Sequence, residues 1–266
     1  MMHLCAPRKK LFSSLLLLVL LFIACIPGQQ DPGSQNLNAG LLPSFPGCDQ
    51  IVSHAAYTLC YSEADEQARW VTYSLTKEMC STNAVKRKDK FMADPSVKTG
   101  SAEPSDYKNS GYDRGHLCPA GDMNWSEQTM EESFYMSNMS PQVHEFNAGI
   151  WEKLEQRVRK WAEQKGEIMV VDGGVLTPGL KKIGDKNKVS VPDYFYKIVF
   201  SAQPQLSAVA FVIANRNWSG TGKSYLDFSV TVDSVEKMTG IDFFPALDDA
   251  IENKMESTNA LSSWNH

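Results

Sequence analysis

Asp113-Arg114-Gly115-His116, followed by Asn138-Met139-Ser140-Pro141-Gln142 and then Phe146-Asn147, is the stretch on which the reading of this chain turns. It places an imidazole, a guanidinium and a carboxamide within about 35 residues, a span that suits strand, crossover and helix in one compact unit. Hydrolysis of a phosphodiester needs a base for the attacking water, positive charge against the developing pentacovalent phosphate, and help for the leaving oxygen. His116 is the natural base, because an unperturbed imidazole is largely neutral at physiological pH. Gly115 is expected to let the backbone pass close to a ligand, and Arg114 adds a permanent charge beside it. The bland alternative for Arg114 is a surface ion pair with Asp113 or Asp122. Magnesium prefers oxygen ligands and keeps several waters, so Asn147 with a phosphate oxygen suffices for it, with manganese as the alternative. His116, Cys118 and His144 match no usual structural zinc spacing. His54 and His144 lack a comparable polar constellation, and His266 is the last residue.

Outward from this motif, the chain reads in three parts. Residues 1–25 carry Arg8, Lys9 and Lys10 before an apolar run too short to span a bilayer, the pattern of an export signal. The run ends in Leu21-Phe22-Ile23-Ala24-Cys25, which resembles a bacterial lipoprotein processing site, so lipidation of Cys25 and a cell-envelope, periplasmic or secreted location are expected. The only membrane contact expected is that lipid anchor. Residues 26–47 have the Gly, Pro, Gln, Asn and Ser content of a tether, and residues 48–266 suit one mixed domain with a sizeable core. The whole chain has a formal charge of -5; without the three signal cations, 23 Lys and Arg face 31 Asp and Glu, near -8. That argues against a passive, salt-driven nucleic-acid coat but leaves room for a local basic cleft. Cys48, Cys60, Cys80 and Cys118 allow three pairings or none.

Residues 56–61 and 70–75 read as a hairpin, and residues 168–171, 194–200 and 208–213 as buried strands. Ser126 can cap a helix running through Phe134. The most regular helix spans residues 146–165, with Ile150, Trp151, Leu154, Val158 and Trp161 on one stripe. Asn147 falls in the middle of that stripe, where it is either a ligand or a helix cap; Glu155 lies at the edge of the same face. Gly220-Thr221-Gly222-Lys223-Ser224 ends like a phosphate-binding loop, but Asn217 stands where that pattern needs glycine and residues 225–232 read as strand, so no nucleoside triphosphate is expected.

The segments DRGHLCPAGDMNWS, ESFYMSNMSPQ and FNAGIWEKLE resemble the DNA/RNA non-specific endonuclease family, the ββα-metal nucleases. The resemblance implies an α+β domain, a ββα-metal (His-Me finger) core around a central antiparallel sheet, and magnesium-dependent cleavage of DNA and RNA without sugar specificity, leaving 5′-phosphates. A homodimer is a further expectation. By the same resemblance His116 is the general base, Arg114 the arginine of its motif, Asn147 the sole protein ligand of the metal, and Asn138 a supporting hydrogen-bonding residue. Glu155 matches the glutamate that holds water beside the metal, and Arg87 is chosen as the upstream arginine that reaches the phosphate. Cys118 departs from the alanine common after the motif and is expected to add a local disulfide. The rival functions are a nucleic-acid-binding envelope protein without cleavage and a phosphodiesterase for small molecules.

Overall fold

The long apolar runs pair side by side, because strands buried on both faces have nothing polar to turn toward water. A computed structural model describes residues 42–265, all within one unit. Its strands in chain order are β1 (Gln50–Ser53), β2 (Tyr57–Ser62), β3 (Gln67–Thr76), β4 (Asp113–His116), β5 (Met139–Gln142), β6 (Glu167–Gly174), β7 (Lys182–Ile183), β8 (Val189–Ser190), β9 (Tyr194–Ser201), β10 (Ser207–Ala214) and β11 (Ser229–Val230). Seven of them form one sheet in the order β1-β2-β3-β6-β9-β10-β11, antiparallel at every pairing. The expected hairpin is β2–β3, with Leu59 opposite Val71 and a bulge at Cys60/Tyr61. Two separate pairs, β4–β5 and β7–β8, stand apart from this sheet.

Alternation along the strands splits the interior into two layers. Leu59, Val71, Tyr73, Ile168, Val170, Phe195, Val199, Val209 and Phe211 face one layer; Cys60, Trp70, Met169, Val171, Tyr196, Ile198, Phe200 and Ala210 face the other. The helices are α1 (Lys77–Ser81), α2 (Glu127–Ser133), α3 (Glu152–Lys165), α4 (Val232–Thr239), α5 (Asp249–Glu256) and α6 (Leu261–Trp264). On the first face α3 buries Leu154, Val158 and Trp161; on the second, α4 and α5 bury Val232, Val235 and Met255. Ser126 caps α2 as expected, its side chain accepting from the Thr129 N–H at 3.1 Å. The predicted helix over residues 146–165 has two parts: Phe146–Trp151 is a wide π turn, and regular α-helix begins at Glu152 and ends at Gly166, whose φ of +88° suits glycine.

Two local expectations are corrected, and a third stretch is not described. Residues 225–232 are not a continuous strand: Tyr225–Phe228 is a 3-10 turn held by a reciprocal Ser224/Asp227 cap, and only Ser229–Val230 pair, with β10. Cys118 makes no disulfide; it is buried and free, as Cys80 is free, while Cys48 and Cys60 are bonded and tie the segment before β1 to β2. Residues 1–41, with Cys25 and most of the expected tether, lie outside the described residues.

Leu154 touches no reacting group and is fully buried in the layer that carries α3. Leu154→Ala is expected to cost about 2–5 kcal/mol in urea unfolding, the range for emptying a leucine-sized space in a close-packed core.

Candidate active site

The β4–β5 pair is only four residues long on each side, with Asp113 opposite Gln142 and His116 opposite Met139. Strands this short need fastening from outside the ladder. Asn138 provides it: its Oδ1 accepts from the Cys118 N–H at 2.8 Å, and its Nδ2 donates to Cys118 O at 2.9 Å and Ser133 O at 2.8 Å. The Leu117 N–H adds a bond to Asn138 O at 3.0 Å. Asn138 is fully buried, so its role is to hold the backbone that follows His116. Gly115 has a related duty that sequence reading assigned otherwise. A Cβ there would collide with the Gln142 side chain, so the close approach it permits is to β5 and not to a ligand.

Arg114 and His116 alternate onto the same side of β4, where two aromatic rings receive them. His116 stands edge-on to Phe134 at 4.9 Å and 5.9 Å from Phe91; the two phenylalanines meet edge to face at 5.0 Å. The Arg114 guanidinium lies over Phe91 at 4.1 Å and that of Arg87 over Phe134 at 5.2 Å, both within cation–π range. Arg87 also pairs with Asp89 at 2.7 Å, an exposed contact of small energetic weight. Burial first, and the Arg87 charge second, lower the His116 pKa to about 3, with Asp89 acting in the opposite sense. The ring is therefore neutral at physiological pH, and its Nε2 is buried without a hydrogen-bond partner.

Asn147 sits in the π turn, half-buried, at the edge of the same cavity. Its Nδ2 donates to Asp113 Oδ2 at 2.9 Å, which occupies the amide nitrogen and leaves Oδ1 as the atom able to meet a cation. The cap reading is not what forms: the Asn147 backbone N–H bonds Val143 O at 2.9 Å, inside the turn. Asp113 also meets His144 Nδ1 at 2.9 Å, and that bond raises the His144 pKa. His144 thus has a polar partner after all, and Asp113 serves Asn147 instead of pairing with Arg114. Asp122 likewise does not pair with Arg114; its two oxygens take Arg159 Nη1 at 2.7 Å and the Tyr73 hydroxyl at 2.9 Å.

His116, Arg87, Arg114, Asn147, Glu155 and Arg159 line one cavity of about 290 Å3. Every residue expected from sequence at the site is on this wall except Asn138, which lies behind it. Arg159 was not singled out there, although it stands four residues after Glu155 on α3, one turn along the same face. Burial raises the Glu155 pKa to about 8; Lys197 and Arg159 oppose that shift, Asp122 and Asp172 reinforce it. A larger groove of about 990 Å3 shares Arg87, Arg114 and Asn147 with the cavity and runs past Lys90, Lys108 and Tyr112. Among the residues lining the cavity, Asn147, Glu152 and Glu155 offer carboxamide and carboxyl oxygens, which fits a hard cation such as magnesium and not a thiolate-preferring one. Cys118 is buried while the His144 side chain is 71% exposed, so the zinc grouping drawn from sequence does not assemble.

A short antiparallel strand pair carrying the histidine, followed by a helix whose first turn carries the asparagine, defines the ββα-metal nuclease class. The DNA/RNA non-specific endonuclease profile matches residues 39–250. Mitochondrial nuclease EXOG of Danio rerio is 35% identical over 205 residues, covering 72% of this chain and 60% of that one. Mitochondrial endonuclease G of Homo sapiens is 31% identical over 213 residues, covering 76% and 71%. A crystal structure of the EndoG/EndoGI complex, 34% identical, superposes with a TM-score of 0.71 over 77% of this chain and 89% of that one. The chain belongs to the DNA/RNA non-specific endonuclease family. It spans 56–60% of the length of the EXOG relatives it matches. The same relatives correct the expectation of an exported envelope lipoprotein: EXOG, endonuclease G and a nuclease of Saccharomyces cerevisiae are named as mitochondrial.

Asn138→Ala removes three hydrogen bonds at once and strands a buried N–H and two carbonyls. At about 1–3 kcal/mol for each buried group left unsatisfied, the variant is expected to lose roughly 3 kcal/mol or more of stability. Denaturant unfolding checks this.

Proposed function

We propose that the chain is a sugar-non-specific endonuclease that hydrolyses phosphodiester bonds in DNA and RNA, with His116 as general base and Asn147 as the protein ligand of a divalent metal. The observation that carries this reading is the convergence of a neutral, unpartnered imidazole, two arginines and an oxygen donor on one cavity. His116 takes the proton from the attacking water as its oxygen bonds to phosphorus. The P–O3′ bond then breaks, leaving a 5′-phosphate on one product, and the departing 3′-oxygen takes a proton from water to become the 3′-hydroxyl of the other. Arg87 and Arg114 face the negative charge that develops on the phosphate, and the rings beneath them limit how far they swing. Magnesium, or manganese, held through Asn147 Oδ1 would supply Lewis-acid stabilisation of that charge. Glu155 and Arg159 face the same space and orient water within it. Asp113 fixes the rotamer of Asn147, and the adjoining groove with Lys90, Lys108 and Tyr112 receives the neighbouring stretch of the polyanion.

Supercoiled plasmid and structured RNA, each incubated with purified protein with and without magnesium, test the reading. Both substrates are expected to be cut, only with the metal; binding without nicking would favour a capture protein, and hydrolysis of small diesters alone a phosphodiesterase. His116→Ala is expected to lower the cleavage rate about 10²- to 10⁴-fold, the usual effect of losing a general base, in protein that still folds and unfolds cooperatively. Activity within threefold of the parent would remove His116 from that role.

Asn147→Ala is expected to raise the magnesium concentration needed for half-maximal rate, because the oxygen donor is lost while π turn backbone bonds remain. A thermal shift with unaltered magnesium dependence would make Asn147 a purely structural residue.

A further inference from the structure

On the sheet face opposite the cleft, α4 and α5 bring three carboxylates together. Asp233, Glu236 and Glu256 each offer an oxygen, and these oxygens lie within 4.8 Å of one another. Asp233 and Glu236 are three residues apart on α4 and share one face; Glu256 is the last residue of α5. Among the described residues none of the three pairs with a Lys, Arg or His. Glu236 Oε1 accepts from the Phe243 N–H at 3.0 Å, so its carboxyl is fixed in place.

Glu256 is the second and independent observation. It is 6% exposed, and its Oε1 is buried with no hydrogen-bond partner, while its carboxyl group also meets the Glu236 side chain, a contact between two acids that a shared proton or a cation must bridge. A buried carboxylate without a partner is costly, and this one also sits at the helix C-terminus, where the macrodipole disfavours negative charge. The charged groups acting on it are Glu236, Glu252, Asp233 and Asp242, all acidic, and with burial they raise its pKa to about 8. Nothing in the cleavage chemistry uses this cluster.

We propose that Asp233, Glu236 and Glu256 form a calcium site that clamps α4 to the end of α5 on the back of the sheet. Two oxygens on opposite sides of a calcium ion at 2.3–2.6 Å stand up to about 5 Å apart, which the spacing of the cluster accommodates, and the charge of the ion supplies the partner that Glu256 Oε1 lacks. Calcium suits the site better than magnesium, because carboxylates on two separate helices give an irregular, adaptable cage and magnesium demands near-ideal octahedral geometry. Val232, Val235 and Met255, beside these carboxylates, pack against the sheet. Holding the acids together therefore holds the second core layer closed.

Thermal unfolding of the full chain tests the site, with saturating magnesium in every sample so that the catalytic metal is constant, and with either EGTA or millimolar calcium. The parent is expected to unfold about 5 °C higher in calcium, the shift for a ligand near a hundredfold above its Kd in a domain of this size. Glu256→Gln and Asp233→Asn are both expected to lose that difference. Asp233 is exposed, so its variant keeps the fold even if the buried substitution does not. Calorimetric titration of the parent and of Asn147→Ala should each give one calcium per chain, and of Asp233→Asn none. An equal calcium shift in parent and variants would place the ion elsewhere and overturn the proposal. So would no calcium shift in the parent, and a midpoint that then falls from pH 6 to pH 9 would show Glu236 and Glu256 sharing a proton instead.

Discussion

The three hydrogen bonds of Asn138 are the constraint on which the site depends. Without them the β4–β5 pair is two four-residue strands joined by more than twenty residues of loop and short helix, too little for independent stability. With them, the chain after His116 and the chain before Met139 are one buried unit. Further side chains bolt that unit to the main sheet: Ser140 Oγ donates to Gln67 Oε1 at 2.6 Å, and Asn215 accepts from the Val143 N–H at 2.8 Å and donates to Pro141 O at 3.0 Å. The imidazole is thus carried by a strand whose position is set by buried polar contacts. The carboxamide is carried by a π turn anchored at Val143, the residue held by Asn215.

This placement gives the two chemical groups different surroundings, as their roles require. His116 is enclosed by Phe91 and Phe134, and burial keeps it uncharged. Asn147 is half-buried and lines the cleft. The net charge of the chain is negative, yet Arg87, Arg114 and Arg159 all border one cavity, and each rests on an aromatic ring or a carboxylate that fixes its direction. A local field of this kind, and not total charge, decides whether a polyanion is received.

Much of this was legible in sequence because it is local. The DRGH run, the NMSPQ run and Asn147 are contiguous motifs, the buried strands are unbroken apolar runs, and the α3 stripe follows a 3.6-residue period. The rest depends on contacts between distant positions. Arg159 meets Asp122 across 37 residues, and Phe91 meets Phe134 across a loop with no periodicity, so neither pairing leaves a mark in either segment alone. Asp113 reads as an ion-pair partner for its neighbour Arg114 until the fold brings Asn147 beside it. Gly115 reads as a ligand contact because a glycine next to a charged residue gives no hint that Gln142 fills the space. The strand expected at residues 225–232 failed because a Ser224/Asp227 reciprocal cap, a local side-chain device, outweighs β propensity there.

The central claim is that the fold holds His116 as a neutral base between two phenylalanines, and titration of its ring carbon proton by NMR in the metal-free protein tests this most directly. The account predicts no protonation of His116 down to at least pH 5, while exposed His144, bonded to Asp113, titrates above the ordinary histidine range. A His116 pKa at or above 6.5 would contradict it, because the ring would then be solvated or paired with a carboxylate and not held uncharged by burial beside Arg87.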